Sequence, residues 1–304
     1  MQMVLMSGAS GMLGQAVASA LRARDTRMLS LVRHASQRGD ELEWKPEAGK
    51  FPETQALEGV DAVIHLSGAN VSSHRWSRKY KREIVESRVT TTRVLAEALA
   101  RLKRKPSVLI TASAVGYYGN RGDEILQEDS PAGNGFFPEL CEAWEQAAQA
   151  AEDAGIRVVH LRFGIVISRS GGALGQMLPL FKAGLGGKLG NGRQWMSWVS
   201  EADVVGATLF VLNNNGRGVN LAGPVNVVAP QAVTNAQFTR ELGRVLRRPT
   251  LMTAPAFALR LAFGEMANEA LLASAHAVPH KLISAGYVFR HPRLTDSLHE
   301  ALPV

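Results

Sequence analysis

Three glycines at a three-residue beat, Gly8, Gly11 and Gly14, follow the apolar run Met3-Val4-Leu5-Met6. Glycines so spaced behind a strand are suited to holding a phosphate. Gly8 lets the backbone turn sharply, Gly11 lets a pyrophosphate approach the main chain, and Gly14 lets a helix lie close on the sheet. The amides near Ser10, Met12 and Leu13, at the N-terminus of that helix, then face the anion. Gln15 to Arg24 continues as an amphipathic helix, so the glycines sit between strand and helix, as a dinucleotide loop requires.

A second feature selects the nucleotide. Met28 to Val32 reads as a buried strand, and Arg33 and His34 follow it. A loop specific for NAD places an acidic residue about 20 residues beyond the glycines, to bind the ribose diol. A guanidinium suits a 2′-phosphate instead, so Arg33 predicts NADP(H). The run Gly59 to Ala69 is another buried strand, and its small end at Leu66, Ser67 and Gly68 leaves room for adenosine or ribose. His65, inside that run, reads as a packed strand residue. In the basic stretch Arg75 to Arg88, Glu83 and Arg88 are expected to turn inward, and the rest reads as a solvated face. Val108 to Gly119 is a further strand that runs through Ser113 to the pair Tyr117 and Tyr118.

The elements that must position these residues alternate. Helical spacing covers Thr90 to Leu102, Phe136 to Ala154, Glu201 to Leu212 and the segment through Leu246 that Thr234 caps. Strands are predicted at Ile156 to Ile167, between Trp195 and Trp198, at Gly218 to Ala222 and near Tyr287 to Phe289. Residues 168 to 194, rich in glycine, read as a long loop forming a wall of a substrate pocket. Such alternation implies an α/β fold with a doubly wound parallel Rossmann sheet. Ligands lie outside the carboxyl ends of such strands, where Gly8, Arg33, Leu66, Ser113 and Val166 would converge. The division expected is an NADP-binding domain over 1–224 and a smaller substrate-side C-terminal lobe over 225–304.

Composition narrows the classes. The 304 residues, 46% apolar and 20% charged, provide for a large core. Cys141 is the single cysteine, so neither a disulfide framework nor a cysteine metal cluster is expected. The net charge of +7 is spread along the chain without a nucleic-acid motif, and no apolar run is long enough for a membrane span. A cytoplasmic protein with a small-molecule substrate is expected, as monomer or homodimer, without nucleic-acid or membrane partners.

The glycine beat, the strand Asp61-Ala62-Val63-Ile64-His65-Leu66-Ser67-Gly68-Ala69 and the turn Ser113-Ala114-Val115-Gly116-Tyr117-Tyr118-Gly119 together resemble an extended short-chain dehydrogenase/reductase of the NAD(P)-dependent epimerase/dehydratase family. Arg75-Trp76, Ser87-Arg88-Val89, Trp144-Glu145, Leu161 to Val166, Gly184 to Trp198 and Gly264-Glu265 are similar to an atypical YfcH-like branch, whose C-terminal segment matches about Pro249 to Leu298. The resemblance implies a catalytic tyrosine with a lysine four residues on. Aligned through Trp144-Glu145, those positions hold Phe137 and Cys141, and the usual serine or threonine falls on Ala114, with Ser113 one residue early. Proton transfer then falls to Tyr117 or Tyr118, with Ser113 as hydrogen-bonding partner and Glu145 as an outside candidate. Two functions stay open: an NADP(H)-dependent epimerase or oxidoreductase acting on a hydroxyl or carbonyl carbon, and a regulator that binds NADPH without turnover.

Overall fold

The computed structural model describes residues 2–48, 51–213 and 221–302. Its contacts divide the chain into two interleaved units: 1–113, 140–161 and 207–225 form the first, and 114–139, 162–206 and 226–304 the second.

The first unit carries the parallel strands β1 (Met3–Ser7), β2 (Arg27–Val32), β3 (Glu41–Glu43), β4 (Ala62–His65) and β5 (Val108–Ala114). With strands Arg157–Phe163 and Gly223–Val227 they form a seven-stranded sheet in the order Gly223–Val227, Arg157–Phe163, β5, β4, β1, β2, β3. This is the doubly wound Rossmann sheet that the alternating pattern predicts. β1 lies between β2 and β4, with Ser7 opposite Leu31 and His65. The order therefore reverses at β1, which brings the ends of β1, β2 and β4 side by side. Helix α1 (Met12–Arg22) buries Gly14, Val17, Ala18 and Leu21, a 3.6-residue stripe. The core joins Leu5, Leu29, Leu31, Val63 and Leu109 from the strands to Leu95 and Leu99 of helix Thr91–Ala100 and to Trp44.

His65 is fully buried in this core, as expected of a packed strand histidine. Its Nδ1 lies 2.5 Å from Ser7 Oγ and its Nε2 3.4 Å from Thr91 Oγ1.

Several elements differ from the sequence pattern. The long apolar run Ile156 to Ile167 is two strands, Arg157–Phe163 and Ile165–Ile167, the first of which begins in the first unit. Gly164 separates them, because a Cβ there would lie 2.6 Å from the carbonyl oxygen of Ser197. Ile165–Ile167 then pairs with Trp198–Ser200. The expected loop 168–194 contains helix Gly172–Lys182 and strand Gly187–Leu189. Burial of Leu174 and Phe181, one helix face apart by two turns, overrides the low propensity of its glycines. Phe136 to Ala154 breaks into helices Phe136–Gln146 and Gln149–Asp153 where Ala148 bonds three residues back to Glu145. The strand expected at Gly218 to Ala222 falls partly outside the described residues, and the strand seen is Gly223–Val227. Thr234 caps helix Asn235–Leu246 as expected, in a reciprocal box with Gln237.

Tyr287 to Phe289 is irregular where a strand was expected. The Tyr287 amide closes the turn after helix His280–Ser284 on the Leu282 carbonyl at 2.9 Å, and the chain around and beyond it is held by Asp203, a fully buried carboxylate in the first turn of helix Glu201–Asn213. It accepts from the Tyr287 hydroxyl at 3.1 Å, the Arg290 amide at 2.7 Å, the His291 amide at 3.0 Å and Ser200 Oγ at 2.6 Å. The Arg290 and His291 amides, just past the expected strand, are thus bound to a side chain.

Two outcomes follow from these buried polar groups. Asp203→Ala removes the carboxylate acceptor of four donors and is expected to lower the unfolding free energy by about 3 kcal/mol, measured by urea denaturation; an unchanged midpoint would contradict the clamp. Burial holds His65 down at about 3, against 6.5 for a free histidine, so the native ring stays neutral while the unfolded chain gains a proton. Stability is then complete above pH 6.5 and declines as the pH falls from 6.5 toward 3. Urea titrations from pH 7 to 5 should show a shallower decline for His65→Asn than for the parent.

Candidate functional site

In the first unit the glycine loop has the geometry that its spacing predicts. Gly8 adopts φ +73°, and a Cβ there would meet the Leu66 carbonyl carbon at 2.7 Å. A Cβ on Gly14 would lie 1.9 Å from the Gly8 carbonyl oxygen. Both glycines are required by close backbone approach. Gly11 differs, since its Cβ would touch only Gly8 oxygen at 3.4 Å, which leaves its outer side open to a ligand. The Gly11 amide donates to that same oxygen at 3.0 Å and closes the turn. Gly11 caps α1 without any side-chain hydrogen bond, so no side chain of its own occupies the helix N-terminus. Ser10 is exposed beside it, and Met12 and Leu13 are half-buried.

The ends of the adjacent strands supply the rest. Val32 closes β2, and Arg33 and His34 beyond it are exposed. Leu66, Ser67 and Gly68 follow β4. Gly68 lies against Arg88, whose guanidinium carbon would be 3.1 Å from an added Cβ. Arg88 donates to the carbonyls of Ala69 at 2.9 Å and Ile84 at 3.2 Å, and covers the Trp144 ring at 5.1 Å. Burial holds this guanidinium below its ordinary value. Arg88 thus turns inward, as expected, but it is satisfied by main chain and braces the Gly68–Ala69 segment. Glu83 does not turn inward. Helix Arg78–Val85 buries Tyr80 and Ile84, which leaves Glu83 exposed.

Ser113, 3% exposed near the end of β5, donates to Glu145 Oε1 at 2.6 Å. Glu145 lies one turn beyond Cys141 on helix Phe136–Gln146, and Cys141 is 1% exposed. Phe137, Cys141 and Glu145 share a helix face by their four-residue spacing.

The second unit holds the tyrosine pair and Val166. Val166 is half-buried and paired with Val199. Tyr118 is fully buried; its hydroxyl lies 2.9 Å from the Gln127 carbonyl and 2.8 Å from Asn226 Oδ1, and accepts from Arg162 at 3.0 Å. Burial pushes this phenol up to about 12, against the opposing charge of Arg162. Tyr117 is half-buried and packs edge-on to Tyr118, and the Arg162 guanidinium covers its ring at 3.5 Å. Arg162 is 2% exposed, and Glu128, 4% exposed, accepts the Asn226 and Lys281 amides at 3.1 Å each. Sequence reasoning missed Glu128, Arg162 and Asn226 as a group, because they meet only through tertiary structure. Among the described residues no cluster of histidine, cysteine, aspartate or glutamate is placed to hold a metal, and no helix is long and apolar enough to cross a membrane.

Residues 4–227 match the model of the NAD dependent epimerase/dehydratase family, and residues 254–301 match the domain of unknown function DUF1731. Epimerase family protein Mb2239 of Mycobacterium bovis is 45% identical over 295 residues, 97% of this chain and 96% of that protein. Epimerase family protein YfhF of Bacillus subtilis is 34% identical, over 98% of this chain and 97% of its own length. The crystal structure of human epimerase family protein SDR39U1 with NADPH superposes at a TM-score of 0.89 with 31% identity, covering 99% of both chains. A fold and a set of strand ends of this kind, matched over nearly the whole length by such relatives, place the chain in the NAD dependent epimerase/dehydratase family.

Proposed function

We propose that this protein binds NADP(H) in its first unit and acts as a short-chain dehydrogenase/reductase, an epimerase or oxidoreductase, on a hydroxyl or carbonyl carbon of a small substrate. The observation that carries the reading is the glycine cradle: an uncapped helix N-terminus beside Gly11, with Arg33 at the end of the neighbouring strand. The residues fit the cofactor, because Gly8 and Gly14 let the turn and helix pack closely while Gly11 leaves the outer side of the loop open, and the human relative was solved with NADPH. Gly8, Ser10, Gly11, Met12, Leu13 and Gly14 would hold the pyrophosphate, and Arg33 with His34 the 2′-phosphate. Val32, Leu66, Ser67 and Gly68 would line the nucleotide, with Arg88 bracing Gly68. A bound nicotinamide supplies hydride transfer.

Proton handling is assigned to groups other than the usual pair, since neither Phe137 nor Cys141 can perform it. Tyr117 is the first choice. Tyr118, whose hydroxyl already has three partners and whose phenol burial makes a weaker acid, serves to orient Arg162 and Tyr117. Ser113, donating to Glu145, would hydrogen-bond a substrate oxygen. The segment 225–304 would supply substrate contacts and no phosphate contacts. The setting is cytoplasmic, as monomer or homodimer, without nucleic-acid or membrane partners. A second reading, an NADPH-binding regulator without turnover, is favoured by the same substitution of Phe137 and Cys141.

Titrations of NADPH and NADH are expected to show tighter binding of NADPH, reversed in Arg33→Asp; equal affinities would remove the 2′-phosphate assignment. Candidate carbonyl compounds added to the NADPH complex should lower its nicotinamide absorbance. With a compound that does so, Phe137→Tyr and Cys141→Ala should stay within about tenfold of the parent, a barrier change near 1.4 kcal/mol. Tyr117→Phe should fall much further, and Tyr118→Phe should fall together with stability. Retained turnover in both tyrosine variants, or no turnover with any compound, would favour the regulator.

A further inference from the structure

Two adjoining cavities in the second unit share Arg169 and Ala301. The larger, about 550 Å³, has an apolar floor of Leu178, Leu246 and Leu302 and is bordered by Arg169, Lys182 and Arg248, with no carboxylate among its lining residues. Its floor is the outer side of the core that contains Phe181 and Leu298. Arg169, Lys182 and Arg248 are exposed and make no ion pair among the described residues. Three unpaired cations around an apolar floor attract an anion that also carries hydrocarbon.

The smaller cavity, about 290 Å³, is polar. His291 and Ser297 line it at 7% and 2% exposure; Ser297 Oγ is buried without a hydrogen-bond partner, and His291 Nδ1, also without one, lies 3.9 Å from Asp203 Oδ2. Buried polar atoms are nearly always paired, so an orphan hydroxyl beside an imidazole nitrogen that is approached only at 3.9 Å points to a polar group that enters the cavity. The cavity also presents two carboxylates, but both are engaged. Glu201 accepts from Ser168 and Ser170, and Glu300 lies 2.9 Å from Arg290 and 3.0 Å from His291 Nε2.

We propose that these cavities form one binding site, separate from the cofactor residues, for a phosphate monoester carrying a short alkyl chain. The phosphate lies at Arg169, where the cavities meet, with Lys182 and Arg248 beside it and the chain on the leucine floor. Its oxygens complete Ser297 and His291. Phosphate suits the site better than carboxylate, because three terminal oxygens serve three cations and two buried polar atoms where two would not. With Nε2 donating to Glu300, the neutral ring of His291 leaves Nδ1 as an acceptor, and the monoprotonated ester offers it a donor. No residue of this site is assigned to NADP(H).

Isothermal titration of the full chain with octyl phosphate tests this, with inorganic phosphate and octyl glucoside as comparisons and each titration repeated with NADPH present. Octyl phosphate is expected to bind at least tenfold more tightly than either comparison, with or without NADPH. Arg169→Ala and Lys182→Ala should each weaken it at least threefold, and Ser297→Ala likewise, while NADPH affinity stays unchanged. Surface changes at Arg169 and Lys182 keep the test independent of any folding defect in Ser297→Ala. No binding, equal binding of inorganic phosphate, competition by NADPH, or binding insensitive to Arg169 and Lys182 would each overturn the proposal.

Discussion

Everything in the first unit depends on how closely α1 approaches the turn that precedes it. An atom added at Gly14 would lie 1.9 Å from the Gly8 carbonyl oxygen, well inside any permitted contact, so the helix can start there only without a side chain. Gly8, in turn, passes against the Leu66 carbonyl behind β4 at φ +73°. These two contacts fix α1 on the sheet and leave its N-terminus without a side-chain cap. The uncapped helix N-terminus is therefore a consequence of packing: the same steric constraint that seats the helix keeps its amides bare.

The second unit is held by buried polar groups whose partners are distant in sequence. Asp203 gathers the chain from Tyr287 to His291, and Gly206 lets the Tyr287 hydroxyl approach, since a Cβ there would lie 2.3 Å from it. Arg162 is held among Tyr117, Tyr118 and the Glu128 carbonyl. A buried guanidinium is tolerated only where acceptors and aromatic faces surround it, and such a network specifies one arrangement of its members. That constraint separates the two tyrosines. One hydroxyl is consumed by structure and the other is not committed in the same way.

The face made by Phe137, Cys141 and Glu145 carries the chemical peculiarity of the chain. Phenol and ammonium are replaced by a phenyl ring and a buried thiol, and the carboxylate one turn further on receives the serine hydroxyl. Ser113 and Glu145 are 32 residues apart, yet their bond is among the shorter ones in the first unit.

The sequence by itself determined the alternation of strand and helix, the glycine loop, the basic residue behind β2 and the absence of the tyrosine and lysine pair. These are local properties: a 3.6 or 2.0 periodicity, a steric need for glycine, an amino-acid identity at a fixed step. Tertiary structure decided the rest. Gly164 splits an apolar run because the Ser197 backbone occupies the space beside it, which no pattern within the run records. Helix Gly172–Lys182 forms in a glycine-rich stretch because Leu174 and Phe181 find a core to enter. Glu83 and Arg88 look alike as charged helix residues, but only the second meets carbonyl oxygens and the Trp144 ring. Tyr118 and Tyr117 are neighbours of one residue type, and partners as remote as Asn226, 108 positions away, assign them different work. Burial and long-range pairing depend on what the rest of the chain brings to a position, and that is settled only when the chain has folded.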